Sequence, residues 1–342
     1  MKNLVLLSKK DRDLIVNSRK GESKFGEHIR LIHNLNNIYE AITNLDVDYI
    51  IFGIAEDIGV QANLGQPGTK KVWESTITAL LNMQSNAYTN AKRIAVLGHL
   101  NYAEEHNTLN EIDQTKRKSL TQIRSMVEKI DSDVTYLVAC IVKAGKIPII
   151  IGGGHNNSYG NIKGTSLALN NKINVINLDA HTDFRPEEGR HSGNGFSYAF
   201  AEGFLKRYFI FGLHENYTSA RIYKTIKKLK NIKFNTYESI EIRNELDFKD
   251  QLNYASDFIS KEAFGIELDC DAIENMPSSA MTPSGFSMKQ ARQYINFFGQ
   301  NSNVKYLHIC EASPIKKTQQ NIGKAIAYLI TDFIRANGSL KL

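Results

Sequence analysis

The residues best placed to do chemistry fall at three points in the chain. Asp179, His181 and Asp183 are spaced two apart. They follow Lys172-Ile173-Asn174-Val175-Ile176, a run rich in β-branched residues that predicts a buried strand. Side chains repeat on one face of a strand every second residue, so all three can point the same way if extension persists. Asp269 and Asp271 repeat the spacing after another apolar run, with Cys270 turned away between them. His155 follows Gly152-Gly153-Gly154 at the end of a third.

Taken singly, each has a bland reading. His155 after a glycine run suits a structural or phosphate-adjacent role, and Asp269 could cap a helix. Together they bring two imidazoles and four carboxylates to neighbouring strand ends. Converging carboxylates raise one another's pKa and cost stability unless a cation intervenes. Oxygen and imidazole donors without a thiolate suit Mn²⁺, with Zn, Ni, Co or Fe open. Two such cations can activate a shared water for attack on an electrophilic carbon, so these residues predict a hydrolase. G-x-S-x-G, His-Glu-x-x-His, Walker and G-x-G-x-x-G spacings are all absent.

These residues need a scaffold of strands. Eight are expected: Asp48 to Ile54, Arg93 to Gly98, Lys146 to Ile151, the strand before Asp179, Arg207 to Gly212, Ile232 to Asn235, Ala263 to Leu268 and Val304 to Ile309. Helices are expected over Lys70 to Leu81, Arg117 to Ala144, Ser158 to Leu169, Thr218 to Leu229, Leu252 to Ser260, Phe286 to Phe298 and Thr318 to Ile334. Asn101 to Thr115 reads as a polar surface loop, and residues 1–45 as an N-terminal helical extension. Alternating strand and helix imply an α/β fold with a mainly parallel sheet, whose ligands bind beyond the carboxyl ends of the strands. With no linker and no internal repeat, residues 1–342 read as one domain.

The 342 residues are enough for a substantial core, and 42% hydrophobic with 23% charged residues is ordinary for a globular enzyme. The longest apolar runs are strand-length, which excludes a membrane span. The apolar patch Leu4 to Leu7 is too short for a secretory signal, so a cytoplasmic location is expected. Three isolated cysteines, Cys140, Cys270 and Cys310, argue against a disulfide framework. The net charge of +6 owes something to Lys224 to Lys230, which reads as a solvated helix face rather than a nucleic-acid surface.

Four motifs resemble the ureohydrolase superfamily of arginases, agmatinases and formimidoylglutamases. They are Gly152-Gly153-Gly154-His155, Asp179-Ala180-His181-Thr182-Asp183, Asp269-Cys270-Asp271 and Glu311-Ala312-Ser313-Pro314, in the expected order between about Tyr49 and Arg335. The resemblance implies a three-layer α/β/α arginase-like fold around an eight-stranded, mainly parallel sheet, two Mn²⁺ per subunit, and homo-oligomers, usually trimers or hexamers. It implies that His155, Asp179, Asp183 and Asp269 hold one metal and Asp179, His181, Asp269 and Asp271 the other. Asp183 would also accept a hydrogen bond from the attacking oxygen. Glu311 would pair with the cationic nitrogens of a small amidine or guanidine substrate.

The loop after the second motif bears on the substrate. Ser192-Gly193-Asn194 matches the arginase loop, but Phe196 stands where the arginase catalytic histidine would fall. His191 could substitute by folding back, or be a loop histidine with no catalytic role. The loop equally resembles the Ser-Gly-Thr-Pro-Phe stretch of formimidoylglutamases, with Phe196 on its phenylalanine. Asp183-Phe184-Arg185, the glycine loop Gly59 to Gly68 and Met281 to Gly285 resemble that group too. Formimidoylglutamate carries two carboxylates, which Arg185 and Arg190 could clamp unless they face solvent or pair with Glu187 and Glu188. Ser192 and Asn194 could contact the substrate as well. The expected reaction is hydrolysis of N-formimidoyl-L-glutamate to L-glutamate and formamide. The alternatives are arginase or another guanidino hydrolase such as agmatinase or guanidinobutyrase, and a non-catalytic regulatory subunit of the same fold.

Overall fold

Alternation along the strands sorts the apolar side chains into two cores, one on each face of a single sheet. In β3 (Tyr49–Ala55), Tyr49 and Ile51 join one cluster while Ile50, Phe52 and Ile54 join the other. The computed structural model describes residues 1–32, 37–113 and 117–338. The other strands are β1 (Leu4–Leu6), β2 (Arg30–Leu31), β4 (Ile94–Asn101), β5 (Ile147–Ile151), β6 (Ile173–Leu178), β7 (Leu205–Leu213), β8 (Ile232–Thr236), β9 (Phe264–Asp269) and β10 (Val304–Cys310). Their order is β1-β4-β3-β5-β10-β9-β6-β7-β8, with β2 also beside β4. Among the described pairings only β1 on β4 is antiparallel.

Helices cover both faces. Val72–Leu81, Phe248–Ile259, Met288–Gly299 and Gln319–Gly338 pack on the first core. Arg117–Lys143 and Asn157–Leu169 pack on the second. The long helix Arg117–Lys143 buries Ile123, Val127, Ile130, Val134, Leu137 and Ile141, a stripe at helical spacing. The result is the expected α/β/α layering.

The eight expected strands are β3 to β10. The sequence missed β1 and β2, which lie within the supposed helical extension. That stretch does contain the helices Lys9–Ile15 and Ile38–Thr43, but residues 33–36 lie outside the described residues. Strands of three and two residues are too short to show a period, and what recruits them is the open edge of β4. The expected loop after Asn101 is instead a helix, Ala103–Glu111, with His106 and Leu109 turned into the core three residues apart. The rest of that loop lies partly outside the described residues. The lysines after Thr218 sit on the helix Ala220–Lys228, whose one buried residue is Ile226, so a solvated face is what they form. Among the described residues no helix is long and apolar enough to cross a membrane.

β5, β10, β9 and β6 are consecutive neighbours in the sheet. Their carboxyl ends deliver His155, Glu311, the Asp269 pair and the Asp179 group to one place.

Candidate metal centre

His155 is the hub. Its Nδ1 lies 2.8 Å from Asp183 Oδ2, 3.0 Å from Asp269 Oδ2 and 3.3 Å from Asp179 Oδ2. All four side chains are buried, and their ligand atoms lie within 4.8 Å of one another. Asp179 and Asp269 build this arrangement in the same way. Each spends Oδ1 on the backbone N–H two residues on, at 2.7 Å to His181 and 2.7 Å to Asp271. Each then turns Oδ2 towards His155. His181 Nδ1 lies 3.6 Å from Asp179 Oδ1 and 3.9 Å from Asp271 Oδ2, so the second set is looser than the first. The sequence-derived group of six is thus brought together.

The glycine run has a steric reason. Gly152 and Gly153 have φ of +89° and +70°. A Cβ on Gly153 would also meet Asn157 Nδ2 at 2.3 Å and Glu56 Oε1 at 2.8 Å. Glu56, buried at the end of β3, accepts from the N–H of Gly154 at 2.9 Å, from Asn157 Nδ2 at 2.7 Å and from the N–H of Gly59 at 3.0 Å. The sequence reading did not assign Glu56. An acidic residue directly after a strand, beside a glycine turn, is the signal that could have found it.

Glu311 divides its oxygens too. Oε1 accepts from the His155 N–H at 2.6 Å, while Oε2 is buried with no hydrogen-bond partner. Burial and the nearby Asp271 charge push its carboxyl up to about 8. Asp183 and Glu311 both adopt positive φ, +43° and +63°. Such backbone strain in non-glycine residues gathers at functional sites.

Burial also raises the Asp269 carboxyl, with the charges of Asp271 and Asp179 adding to it. Burial raises Asp183 as well, with Asp179 contributing. Burial opposes charge on His181, but Asp179 outweighs it and pushes the imidazole up to about 10. This is a cluster of like charges crowded against two imidazoles in a largely buried site. The donor set of oxygens and imidazole nitrogens suits one or more hard divalent cations, which would relieve the crowding.

The loop residues divide into two groups. Arg190 does not reach for a ligand. It is buried, with Nε and Nη2 on Asp131 at 2.8 and 3.2 Å, Nη1 on Asn194 Oδ1 at 2.5 Å and Nη2 on the Asn156 carbonyl at 2.9 Å. Its guanidinium lies over the rings of both Tyr159 and Tyr198. Asn194 is equally occupied, accepting from the His191 N–H and donating to the Gly189 carbonyl. His191 is buried, and its Nδ1 accepts from the Gly193 N–H at 3.1 Å. Burial and the positive charge of Arg185, Arg124 and Arg190 push it down to about 3, so it is neutral. Arg190 and Asn194 are thus occupied by protein partners rather than turned to a ligand as expected, and His191, whose role the sequence left open, is enclosed by its own loop. Phe196 is buried edge-on to the His155 ring and stacked on Tyr208, where it fixes the loop from beneath.

Arg185 is not enclosed as Arg190 is, but it pairs with Glu188, the alternative the sequence left open for it, and Ser192 is buried. Arg185 is exposed, with Nη1 on Asn63 Oδ1 at 2.6 Å and Nη2 on Glu188 at 2.9 Å. Asn63 also donates to Ser192 Oγ at 3.2 Å. Arg124, which the sequence reading did not single out, joins them from the helix Arg117–Lys143 through the Glu188 carbonyl.

An α/β/α sheet whose central strand ends hold this acidic–imidazole cluster defines a class of metal-dependent hydrolases. A sequence model of the arginase family matches residues 47–335, and the chain belongs to that family. It is 26% identical over 300 residues to a formimidoylglutamase of Streptococcus gordonii, covering 83% of this chain and 84% of that one. It is 25% identical over 197 residues to formimidoylglutamases of Streptococcus pyogenes, covering 60% of their length. Among solved structures, formimidoylglutamase from Bacillus subtilis shares the fold with a TM-score of 0.72 at 17% identity, covering 94% of each chain. Formiminoglutamase from Trypanosoma cruzi, solved with Mn²⁺, shares it with a TM-score of 0.67 at 20% identity, covering 87% of this chain and 97% of that one.

Proposed function

We propose that this chain is a formimidoylglutamase, a manganese-dependent hydrolase of the amidine C–N bond. It would convert N-formimidoyl-L-glutamate and water to L-glutamate and formamide. The observation that favours this substrate is a basic group on the loop that follows the metal cluster. There Arg185 and Arg124 converge on Glu188, beside Asn63, Ser192 and a histidine held neutral. Two guanidiniums against one acidic side chain leave positive charge for a substrate with two carboxylates, whereas arginine brings one carboxylate with an ammonium beside it and agmatine an ammonium alone. The names of the relatives agree.

In this reading His155, Asp179, Asp183 and Asp269 would hold one ion, and Asp179, His181, Asp269 and Asp271 would hold a second. When bound, the pair supplies an activated water and a counter-charge for the carboxylates. Glu311 Oε2, buried and unpartnered, receives the amidinium N–H groups in a charge-assisted contact. Asp183 accepts a hydrogen bond from the attacking water. Arg185 and Ser192 orient the glutamate end. A homo-oligomer of three or six chains belongs to the same reading, and sedimentation tests it.

The deciding experiment offers formimidoylglutamate, arginine, agmatine and guanidinobutyrate to Mn²⁺-loaded protein and measures formamide against urea. Formamide from the first substrate alone is expected. Urea from any of the others would move the assignment to a guanidino hydrolase, and no product from any would support a non-catalytic role.

A further inference from the structure

Beneath the ligand row lies a second row of polar side chains that the proposed reaction leaves unused. Glu267 on β9 is in register with His308 on β10 and with Asn177 on β6. All three are fully buried. Asn177 and Glu267 precede Asp179 and Asp269 by two residues, and so share their face of the sheet. Asn177 plainly serves its ligand, since its amide donates to Asp179 Oδ2 at 2.8 Å.

Glu267 is the unusual member. A lone carboxylate in the middle of a sheet is costly unless it is paired. Its Oε2 lies 2.5 Å from His308 Nδ1 and 3.5 Å from His155 Nε2, a buried nitrogen that has no hydrogen-bond partner and for which Glu267 is the facing acceptor. His308 Nε2 in turn lies 3.2 Å from the Gly152 carbonyl. A carbonyl oxygen only accepts, so His308 Nε2 carries a hydrogen and donates to it. His308 Nδ1 and Glu267 Oε2 are joined by a second hydrogen bond, and Glu267 faces the back of His155.

These groups and Cys310 also lie close enough together to suggest a further cation site. The 2.5 Å separation of His308 and Glu267 speaks against it. Two ligands on one tetrahedral ion at ~2.0–2.1 Å sit about 3.3 Å apart, so the contact is a hydrogen bond.

We infer that Glu267, anchored by His308, is a positioning residue that holds His155 as the Nε2–H tautomer. Its Nδ1 lone pair then faces the Asp179, Asp183 and Asp269 carboxylates, where a cation would lie. The inference rests on the metal-centre reading above. A metal-bound histidine whose far nitrogen donates to a carboxylate is fixed in orientation and made a better donor. With the other tautomer, an N–H would point at the ion.

Two double variants separate positioning from simple packing. Glu267→Leu/His308→Leu removes both polar side chains and with them the acceptor behind His155. Replacing both partners of a buried hydrogen-bonded pair by apolar residues is often neutral or stabilising, so this variant is expected to fold. Glu267→Gln/His308→Gln also removes both ionisable groups but keeps an acceptor oxygen. Zn²⁺ titration is expected to show one of the wild type's two sites weakened about 10- to 100-fold in the leucine pair, with most of that affinity regained in the glutamine pair. Histidine-selective ¹⁵N spectra of the Zn²⁺-loaded wild type should place the His155 hydrogen on Nε2. A leucine pair that melts and binds Zn²⁺ like the wild type would overturn the inference. So would a wild-type His155 carrying its hydrogen on Nδ1, a result that needs no variant. A wild type that takes up no Zn²⁺ or Mn²⁺ would instead overturn the metal-centre reading.

Discussion

Asp179 divides its two oxygens, Oδ1 accepting from the His181 N–H and Oδ2 accepting from the Asn177 amide while facing His155. Asparagine can fill only one of these two roles with an oxygen. Asp179→Asn is therefore expected to lose bound metal and at least about a hundredfold in turnover together, read by elemental analysis alongside the formamide assay. Full activity without metal would sink the binuclear reading. Arg185→Ala is expected to raise KM for a dicarboxylate substrate about tenfold, the worth of one charge-assisted hydrogen bond, and to leave a neutral amidine unaffected. An equal change for both would remove Arg185 from carboxylate recognition. The six residues of the candidate metal centre were legible because Asp-x-His-x-Asp and Asp-x-Asp are local patterns. Asn177, Glu267 and His308 were not, because what makes them a set is register across three strands that lie far apart in the chain.

The loop from Phe184 to Tyr198 is held from outside. Asp131, on the helix Arg117–Lys143, pairs with Arg190 through two hydrogen bonds in the interior. Removing one partner strands the other charge, so Asp131→Asn is expected to cost about 3–5 kcal/mol in urea denaturation. Asp131→Asn/Arg190→Met should recover much of that loss. No recovery would mean that the guanidinium holds the loop through Asn194 and the Asn156 carbonyl rather than through Asp131. This pairing also explains why a clamp was expected of Arg190. In sequence its charged neighbours are Glu187 and Glu188, whereas its partner lies 59 residues upstream. Strands β3 to β10 were legible because their apolar runs are long enough to show a period. β1, β2 and the helix Ala103–Glu111 were not, because their place depends on surfaces that exist only after the sheet has formed.

At the scale of the molecule, the cluster couples cation binding to stability and to pH. Without a cation, His181 pushed up to about 10 retains its proton near neutrality, and burial raises the Asp269 and Asp183 carboxyls. Those protons must leave for the ligands to bind. Affinity for Mn²⁺ is therefore expected to rise with pH through neutrality towards about 10, with proton release visible by calorimetry in buffers of different ionisation enthalpy. Chelation should lower the melting temperature, and by more at the alkaline end, where bound metal stabilises most. A melting temperature indifferent to chelator at every pH would show that the carboxylates are held apart by the fold alone.

The outer edge of β4 is shared between two short strands that run in opposite directions. Arg30 and Leu31 cover Ala95 and Val96, and Leu4 to Leu6 cover Gly98 to Leu100. Protein producers would meet the consequence first. Trimming the first seven residues to tidy an expression clone would uncover half a strand's worth of unsatisfied amides and carbonyls. The shortened chain should still assemble its catalytic end, some way across the sheet from the cut, yet turn cloudy on concentration as bare edges of separate copies zip together.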